Sequence, residues 1–339
     1  MSKRHLTKQQ QRRIQRNQNK AQAAVDSVQA EELLATDNLG SEQNGRVTAC
    51  YGSQVDVEPE NDGSHESKRC HLRANLPSIV TGDKVIWQDG EPQGVVVAIK
   101  PRNSELCRPD NRGKLKPVAA NIDRIAIVIA PLPEPHRNLI DRYLVACEHQ
   151  QITPVLVMNK SDLLDDNNRD RLMDMLSDYQ ALGYACSQVS AHSGDGMGLF
   201  SDLLDRTTSV FVGQSGVGKS SLLNALSPGT NTAVGALSEA VTKGTHTTTT
   251  AQLFHLPGGG EMIDSPGIRE FGLWHLNPEE VASGFIEFRP FLGHCKFRDC
   301  QHRGTEPGCA INEAIAEGHI STQRADSYRH ILQSLESGH

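Results

Sequence analysis

The sequence lacks any run of about 18 or more apolar residues, so it predicts no membrane-spanning helix. No apolar stretch follows the first ten residues, MSKRHLTKQQ, which argues against a secretory signal and for a cytoplasmic location. Cytosolic thiols stay reduced, so the eight cysteines are not expected to form disulfides. Five of them are isolated and are expected to be ordinary thiols: Cys50, Cys70, Cys107, Cys147 and Cys186.

An excess of positive charge is also missing, because the net charge is -7, and this excludes a uniformly basic nucleic-acid binder. The basic residues are instead concentrated at one end. Residues 1–20 contain seven Lys and Arg and no acidic residue. Residues 1–40, rich in Gln, Asn, Arg and Lys, are expected to form a disordered basic arm that contacts nucleic-acid phosphates. A merely solubilising tail is the alternative.

Residues 41–112 contain short β-rich runs separated by Gly, Pro, Asp and Asn. Their size and spacing predict a five-stranded β-barrel of the OB type, and an SH3-like barrel fits the same pattern nearly as well. Aromatic residues are few in this region, so its contacts with RNA are expected to be mainly with phosphates.

Residues 113–275 alternate between strand and helix, which predicts an α/β domain. The continuous apolar runs IDRIAIVIA and ITPVLVMNK are typical of parallel strands covered on both faces. GQSGVGKS lies between an apolar strand and a helix and matches the phosphate-binding pattern G-x-x-x-x-G-K-[ST]. The residues expected to surround the phosphates are Gly213, Gln214, Ser215, Gly216, Val217, Gly218, Lys219, Ser220 and Ser221.

A Mg²⁺ ion is expected beside the phosphates. The Ser220 hydroxyl would be one ligand, and Asp264, at the end of the strand before SPG, would hold the ion through water. In the same motif, Gly267 would donate its N–H to the γ-phosphate. The threonine run TKGTHTTTT suits a loop that completes the metal site with Thr248, or with Thr247 as second choice.

The segment NKSD predicts a guanine-reading site, because one carboxylate can accept hydrogen bonds from both N1–H and the exocyclic amine of guanine. Asp162 would be that carboxylate, Lys160 would lie over the ring, and Asn159 would brace the loop. A helix N-cap at this position is the alternative. In the following SAH segment, Ser190 and Ala191 would present backbone N–H groups to the guanine O6.

The order of these motifs is rearranged, because base reading precedes phosphate binding along the chain. With NKSD, SAH, GQSGVGKSSLLN, GTHTTTT and DSPGIREFGLW in that order, the sequence resembles the RsgA/YjeQ family of circularly permuted ribosome-assembly GTPases over residues 45–339. The resemblance implies an OB barrel, a permuted P-loop GTPase domain and a zinc-binding tail. It also implies late maturation of the small ribosomal subunit, rRNA binding and subunit-stimulated GTP hydrolysis.

The glutamine that often positions water after D-x-x-G is absent, and Ile268 occupies its position. An aliphatic side chain cannot orient water. His246, in the threonine-rich loop, is the best candidate within the chain, and the resemblance assigns this role to the matching histidine. An ordinary surface histidine is the alternative.

The C-terminal part, residues 276–339, contains a C-x4-C-x-H-x6-C pattern, and we expect a helical zinc-binding domain there. Three thiolates and one imidazole make a closed tetrahedral set, which is typical of one structural Zn²⁺. The expected ligands are Cys295, Cys300, His302 and Cys309. His294 is an alternative nitrogen ligand, but it adjoins Cys295.

The sequence therefore predicts a monomeric GTPase that uses GTP, GDP and Mg²⁺, and the resemblance implies that it works on the small ribosomal subunit and its rRNA. Two other classes stay open. One is an RNA-binding module in which the nucleotide is only a structural ligand, and the other is an ATPase, against which Asp162 argues.

Overall fold

The computed structural model describes residues 39–60, 65–109, 114–228, 251–264 and 276–336. The chain divides into two compact units. The described residues up to 103, together with 119–121 and 251–253, belong to the first unit, and the other described residues belong to the second.

The first unit is built on five strands: β1 (Leu39–Cys50), β2 (Gln54–Pro59), β3 (Lys68–Leu72), β4 (Lys84–Gly90) and β5 (Gly94–Ile99). The strand order is β1-β2-β3-β5-β4, and β4 pairs back with β1, so the sheet closes on itself. The β3–β5 pair is parallel, and the other pairs are antiparallel. This is the expected OB-type barrel.

Alternation of side chains explains how these strands close around a core. In β2, Val55 and Val57 are buried while their neighbours are half-buried, and in β4 the same holds for Val85 and Trp87. The buried residues of the barrel core are Val47, Val55, Val57, Cys70, Val85, Trp87 and Val96.

The second unit contains a parallel sheet. Its strands are β8 (Arg124–Ile129), β9 (Thr153–Met158), β10 (Ala185–Gln188), β11 (Thr208–Val212) and β13 (Glu261–Asp264). They lie in the order β10-β9-β8-β11-β13, and each neighbouring pair is parallel. The strand β12 (Gln252–His255) leads into β13 through a turn in which the Leu256 N–H donates to the Gly260 carbonyl at 2.7 Å. A separate ribbon consists of β6 (Glu105–Pro109) and β7 (Leu115–Ala120).

Four helices follow the strands of this sheet: α1 (Arg137–Gln150), α2 (Arg169–Ala181), α3 (Met197–Leu204) and α4 (Lys219–Leu226). A 3₁₀ turn, Ser161–Leu163, follows β9. Three further helices lie in the C-terminal part: α5 (Pro278–Gly284), α6 (Ala310–Ala316) and α7 (Thr322–Glu336), with a 3₁₀ segment at Ile286–Phe291. None of the helices in the described ranges is long and apolar enough to cross a membrane.

Local sequence explains where these helices begin and end. α5 starts with a capping box in which Asn277 accepts from the Glu280 N–H at 2.9 Å and Glu280 accepts from the Asn277 N–H at 2.8 Å. Pro278 occupies its first position, where a missing N–H does no harm. α1 ends at Gln151, which adopts the left-handed conformation. The capping box and the left-handed residue thus mark one helix start and one helix end.

Candidate nucleotide and metal sites

The loops predicted to bind the nucleotide follow neighbouring strands of the parallel sheet. Asn159 comes directly after β9, Ser190 two residues after β10, and Gly213 directly after β11, while Asp264 is the last residue of β13. The carboxyl ends of parallel strands lie at one edge of a sheet, which is where open α/β folds bind ligands. The structure therefore brings the base-reading segments and the phosphate-binding segment to the same edge.

Close backbone approach explains two glycines of the phosphate-binding loop. A Cβ at Gly213 would lie 2.1 Å from the Val128 carbonyl oxygen, and a Cβ at Gly218 would lie 2.4 Å from Nδ2 of Asn159. Both residues also have positive φ angles, 137° and 91°. Only glycine satisfies both demands, so the loop can pass tightly over β8 and over the NKSD segment.

Lys219 and Ser220 open α4 directly after this loop. The Lys219 ammonium donates to the carbonyl oxygens of Gly213 and Gln214, at 2.7 Å and 2.6 Å. The Lys219 side chain thus lies across the phosphate-binding loop. It would have to leave these two carbonyl oxygens to reach a phosphate. Between the glycines, Val217 is buried, whereas Ser215 and Gly216 are exposed, and Ser221 is exposed in the first turn of the helix.

Asn159 ties the base-reading and phosphate-binding loops together. Its side chain is 1% exposed. The amide nitrogen donates to the Val217 carbonyl at 2.8 Å, and the amide oxygen accepts from the Ala191 N–H at 3.2 Å. A buried amide satisfied on both sides fixes the relative positions of three loops, because losing either bond would leave a buried polar group unpaired.

Lys160 extends over the phosphate-binding loop. Its backbone is left-handed, with φ of 58°. Its ammonium donates to the carbonyl oxygens of Gly216 at 2.6 Å and Leu132 at 2.9 Å. These bonds hold the side chain against the phosphate-binding loop, and a place for Lys160 over the guanine ring stays a prediction.

The Ser190 hydroxyl donates to the Asp162 carboxylate at 2.5 Å, and this bond lowers the pKa of Asp162 below its usual range. Ser190 is fully buried, whereas Asp162 is exposed. The Ser190 N–H donates to the Asp195 carbonyl at 2.9 Å, and the Ala191 N–H is bonded to Asn159. In this structure both amides thus bond within the protein. The orienting hydroxyl of Ser190 was not among the sequence-based predictions.

Other predicted residues fall outside the described ranges. His246, Thr247, Thr248, Gly267 and Ile268 belong to this group. Of the predicted Mg²⁺ ligands, Ser220 and Asp264 are described. Asp264 is half-buried at the sheet edge that also carries the phosphate-binding loop, a position suited to a metal beside the phosphates.

The Cys₃His cluster comes together as the spacing predicts, with the four ligand atoms within 4.8 Å of one another. Nδ1 of His302 lies 3.5 Å from the sulfur atoms of Cys295 and Cys300 and 3.4 Å from that of Cys309. The sulfur atoms of Cys295 and Cys309 are 4.0 Å apart. Zn–S bonds of about 2.3 Å and Zn–N bonds of about 2.0 Å in a tetrahedron require N···S and S···S separations of about 3.5 and 3.8 Å. The cluster fits a zinc-sized ion.

The loop around the cluster is shaped by hydrogen bonds. The Glu306 carboxylate accepts from the Arg303 N–H and the Gly304 N–H, both at 3.0 Å. The Ala310 N–H donates to the Cys295 sulfur at 3.3 Å. Tyr328 of α7 donates from its hydroxyl to the Gln301 carbonyl at 2.9 Å. These bonds turn the ligand side chains toward a common point.

Protonation of the cluster also suits a metal. Burial lowers the pKa of the His302 imidazole, so its neutral, metal-binding form dominates at neutral pH. Burial raises the pKa of Cys300 to about 12 and raises that of Cys309. These groups are therefore thiols in the absence of a cation, and binding of a metal would release their protons.

Comparisons with known proteins agree with this geometry. A family model described as RsgA GTPase matches residues 99–274. The chain is 58% identical to the small ribosomal subunit biogenesis GTPase RsgA of Ectopseudomonas mendocina, over 99% of this chain and 98% of that protein. It is 59% identical to the protein of that name from Azotobacter vinelandii, with the same coverage.

Solved structures resemble it as well. The crystal structure of YjeQ from Thermotoga maritima matches with a TM-score of 0.73 and 31% identity, over 87% of this chain and 99% of that one. YloQ, described as a circularly permuted GTPase, matches with a TM-score of 0.70 and 29% identity, over 88% and 96%. The fold is thus a circularly permuted P-loop GTPase with an N-terminal five-stranded barrel and a C-terminal Cys₃His cluster, and the chain belongs to the RsgA GTPase family.

Proposed function

We propose that this protein hydrolyses GTP during late maturation of the small ribosomal subunit and that contact with the subunit and its rRNA stimulates hydrolysis. The relatives named for small-subunit biogenesis support this proposal. The carrying observation is that Asn159 bonds to both the phosphate-binding loop and the SAH loop, so the loops proposed to read the phosphates and the base are connected.

In this proposal Asp162 accepts from N1–H and the amine of guanine, and Lys160 covers the base. The backbone N–H groups of residues 213–221 surround the phosphates, aided by the N-terminus of α4. Lys219 exchanges its two carbonyl partners for phosphate oxygens. The exchange is favourable because phosphate oxygens share a net negative charge, whereas carbonyl oxygens belong to neutral groups.

Ser220, Thr248 and Asp264 would hold Mg²⁺, and Gly267 would contact the γ-phosphate. Mg²⁺ would neutralise charge that develops on the phosphate oxygens. His246 would orient the attacking water, because Ile268 cannot. Geometry supports two of these residues: Asp264 ends β13, and Ser220 lies in the first turn of α4, after the loop that follows the neighbouring strand β11.

For the C-terminal part we propose one structural Zn²⁺, held by Cys295, Cys300, His302 and Cys309. All four positions of a tetrahedron would be filled by protein, which leaves no place for a substrate or water.

The segment between Cys295 and Cys300 offers a surface for RNA. Three of its residues are exposed, Lys296, Phe297 and Arg298, and 48% of Phe297 is accessible. An aromatic ring flanked by cations suits single-stranded RNA.

The proposed domain limits are a basic arm at 1–40, an OB-type barrel at 41–112, the permuted GTPase at 113–275 and the zinc-binding domain at 276–339. We further propose that the protein is a cytoplasmic monomer. The basic arm, the barrel and the tail would supply phosphate contacts, so RNA binding should weaken steeply with salt.

The decisive experiment measures GTP turnover with isolated small subunits, with large subunits and with neither. We expect turnover to rise by at least about 10-fold with small subunits alone, because a positioned group in the transition state contributes about 100-fold or more. Equal turnover in all three conditions would refute the stimulation.

Competition against labelled GDP tests whether the site prefers guanine to adenine. If ATP displaced labelled GDP as well as GTP does, recognition of guanine by Asp162 would be refuted.

His246→Ala tests the hydrolytic role. We expect unchanged GDP affinity and loss of small-subunit stimulation, because the variant lacks a group to orient water but keeps the binding loops. His330→Ala is the matched control, since His330 is an exposed histidine on α7. Full stimulation in His246→Ala would assign water positioning to another residue.

A further inference from the structure

Helix α1 has one face toward the phosphate-binding loop. Tyr143 is 4% exposed on this face, and its hydroxyl is hydrogen-bonded to the backbone of Gly213, the first residue of the loop. Leu139 and Tyr143 also line a narrow crevice together with Gly213 and Gln214. The start of the phosphate-binding loop thus rests on a side chain that no nucleotide-binding motif includes.

The opposite face of α1 is bonded to the C-terminal part. Asn138 accepts from the Ser327 hydroxyl of α7 at 2.8 Å. Arg142 donates to the hydroxyl of Ser334, about two turns after Ser327 along α7. Near the other end of α1, Glu148 accepts from Arg289 at 2.7 Å. The contacts recur at helical spacing, so they lie along one stripe of the helix.

The centre of this stripe is a buried ion network. Arg324 of α7 is 3% exposed and donates to the fully buried Asp141 at 2.5 Å. It also donates to both oxygens of Glu287, at 2.5 Å and 3.0 Å. Tyr179 donates to the same Asp141 oxygen at 2.7 Å. Buried charges of this kind tolerate little displacement, because a broken pair leaves an uncompensated charge away from water.

Steric fit makes the same junction tight. A Cβ at Gly284, at the end of α5, would lie 2.6 Å from a methyl carbon of Val145 on α1. Asp141 and Tyr143 are two residues apart, which corresponds to about 200° around a helix. The C-terminal helices pack on one face of α1, and Tyr143 lies on the other face. The position of α1 against the C-terminal helices therefore determines where the Tyr143 hydroxyl meets the phosphate-binding loop.

We propose that Tyr143 is a positioning residue for the phosphate-binding loop and that α1 conveys to it the placement of the C-terminal helices. The inference rests on the proposed nucleotide site. It adds a consequence for regulation. A partner that moves the C-terminal helices would change nucleotide affinity through α1 and Tyr143, without touching the nucleotide.

The first test is Tyr143→Phe, which removes only the hydroxyl. Tyr184→Phe is the matched control, because the buried Tyr184 hydroxyl has no hydrogen-bond partner and shares the same unit. We expect GDP affinity to fall about 5-fold in Tyr143→Phe, the usual effect of one lost hydrogen bond, and to stay unchanged in Tyr184→Phe. Equal GDP affinity in Tyr143→Phe and the native protein would overturn the positioning role. A lower Tm with unchanged affinity would do the same.

The second test addresses the route through α1. The double variant Ser327→Ala/Ser334→Ala removes two hydroxyls on the far face and leaves Arg324 intact. We expect it to weaken GDP binding about 3-fold in the native background and by less than about 1.5-fold in Tyr143→Phe, because coupled sites are not additive. If the double variant lowered GDP affinity by the same factor in both backgrounds, or in neither, the proposed coupling through α1 would be overturned.

The two tests are separable from the proposed function. If the native protein fails to bind GDP, the proposed function fails. If it binds GDP and the variants match it, only the inference about Tyr143 and α1 fails.

Discussion

Two regions of the molecule are organised in opposite ways. One is the nucleotide edge, the sheet edge where the loops after β9, β10 and β11 lie, and the other is the segment 292–309, which carries the Cys₃His cluster. The nucleotide edge stands on buried parallel strands, and its key side chains Asn159 and Ser190 are themselves buried and bonded. Residues 292–309 contain neither helix nor strand, and Cys309 is the one buried residue among them. The buried core therefore arranges the nucleotide edge without a bound nucleotide. Residues 292–309 have almost no core of their own, so bonds from their side chains to a metal must supply the order.

Metal removal should separate the two regions most strongly. We expect Cys309→Ser to abolish stoichiometric zinc and to expose residues 292–309 to protease, because structural zinc contributes about 10–16 kcal/mol of apparent binding free energy in small domains. GDP affinity should change by no more than about 3-fold, since Arg324 still docks α7 on Asp141. Elemental analysis, limited proteolysis and GDP titration measure these effects.

Cys107→Ser is the control, because Cys107 is a half-buried thiol far along the chain from the cluster. If Cys309→Ser abolished GDP binding as well, the two regions would not be independently organised. If it left zinc content and protease resistance intact, the cluster would not be the metal site.

Gly218→Ala tests how closely the nucleotide edge is packed before ligand binding. The new Cβ would meet Nδ2 of Asn159 at 2.4 Å in a left-handed backbone, so we expect GDP affinity to fall about 100-fold. Gly198→Ala is the control. Gly198 lies in α3 with open space around it, so alanine there should leave affinity unchanged and raise stability slightly. Native-like affinity in Gly218→Ala would mean that the loop is not pre-arranged.

Ser190→Ala gives the smallest expected effect and probes electrostatics. Without the Ser190 hydroxyl, the pKa of Asp162 should rise toward its ordinary value. In the proposed site Asp162 must be ionised to accept from guanine, so GDP binding should be lost as pH falls through its pKa. The variant should therefore lose GDP affinity at a higher pH than the native protein. At neutral pH we expect only about a 3-fold loss, because Asp162 is exposed. Ser193→Ala is the control, and superimposable pH profiles for Ser190→Ala and the native protein would contradict the assignment.

The sequence predicted the parts of the site that depend on local pattern. Asn159, Gly213 and Asp264 lie at strand ends as their motifs indicate, because apolar runs and glycine turns mark those ends directly. The Cys₃His ligands also meet as their spacing indicates. The assignments of individual residues to GTP, Mg²⁺ and Zn²⁺ remain predictions.

The sequence was less informative wherever partners are far apart along the chain. It left OB-type and SH3-like barrels open, since the choice depends on the pairing of β1 with β4 and of β3 with β5. It also did not predict that the Ser190 hydroxyl contacts Asp162. Ser190 and Asp162 are 28 residues apart along the chain, so no local signal marks that bond.

By itself the sequence determined the strands and the glycine turn, and it predicted the chemistry that they carry: phosphate binding, guanine reading and a metal-ligand set. Those features are local, because backbone conformation and ligand type depend on neighbouring residues. Only the tertiary structure decided that Asp141 meets Arg324 across 183 residues and that Tyr143 supports Gly213. Such contacts depend on how helices pack, and packing brings together side chains whose separation along the chain gives no hint of it.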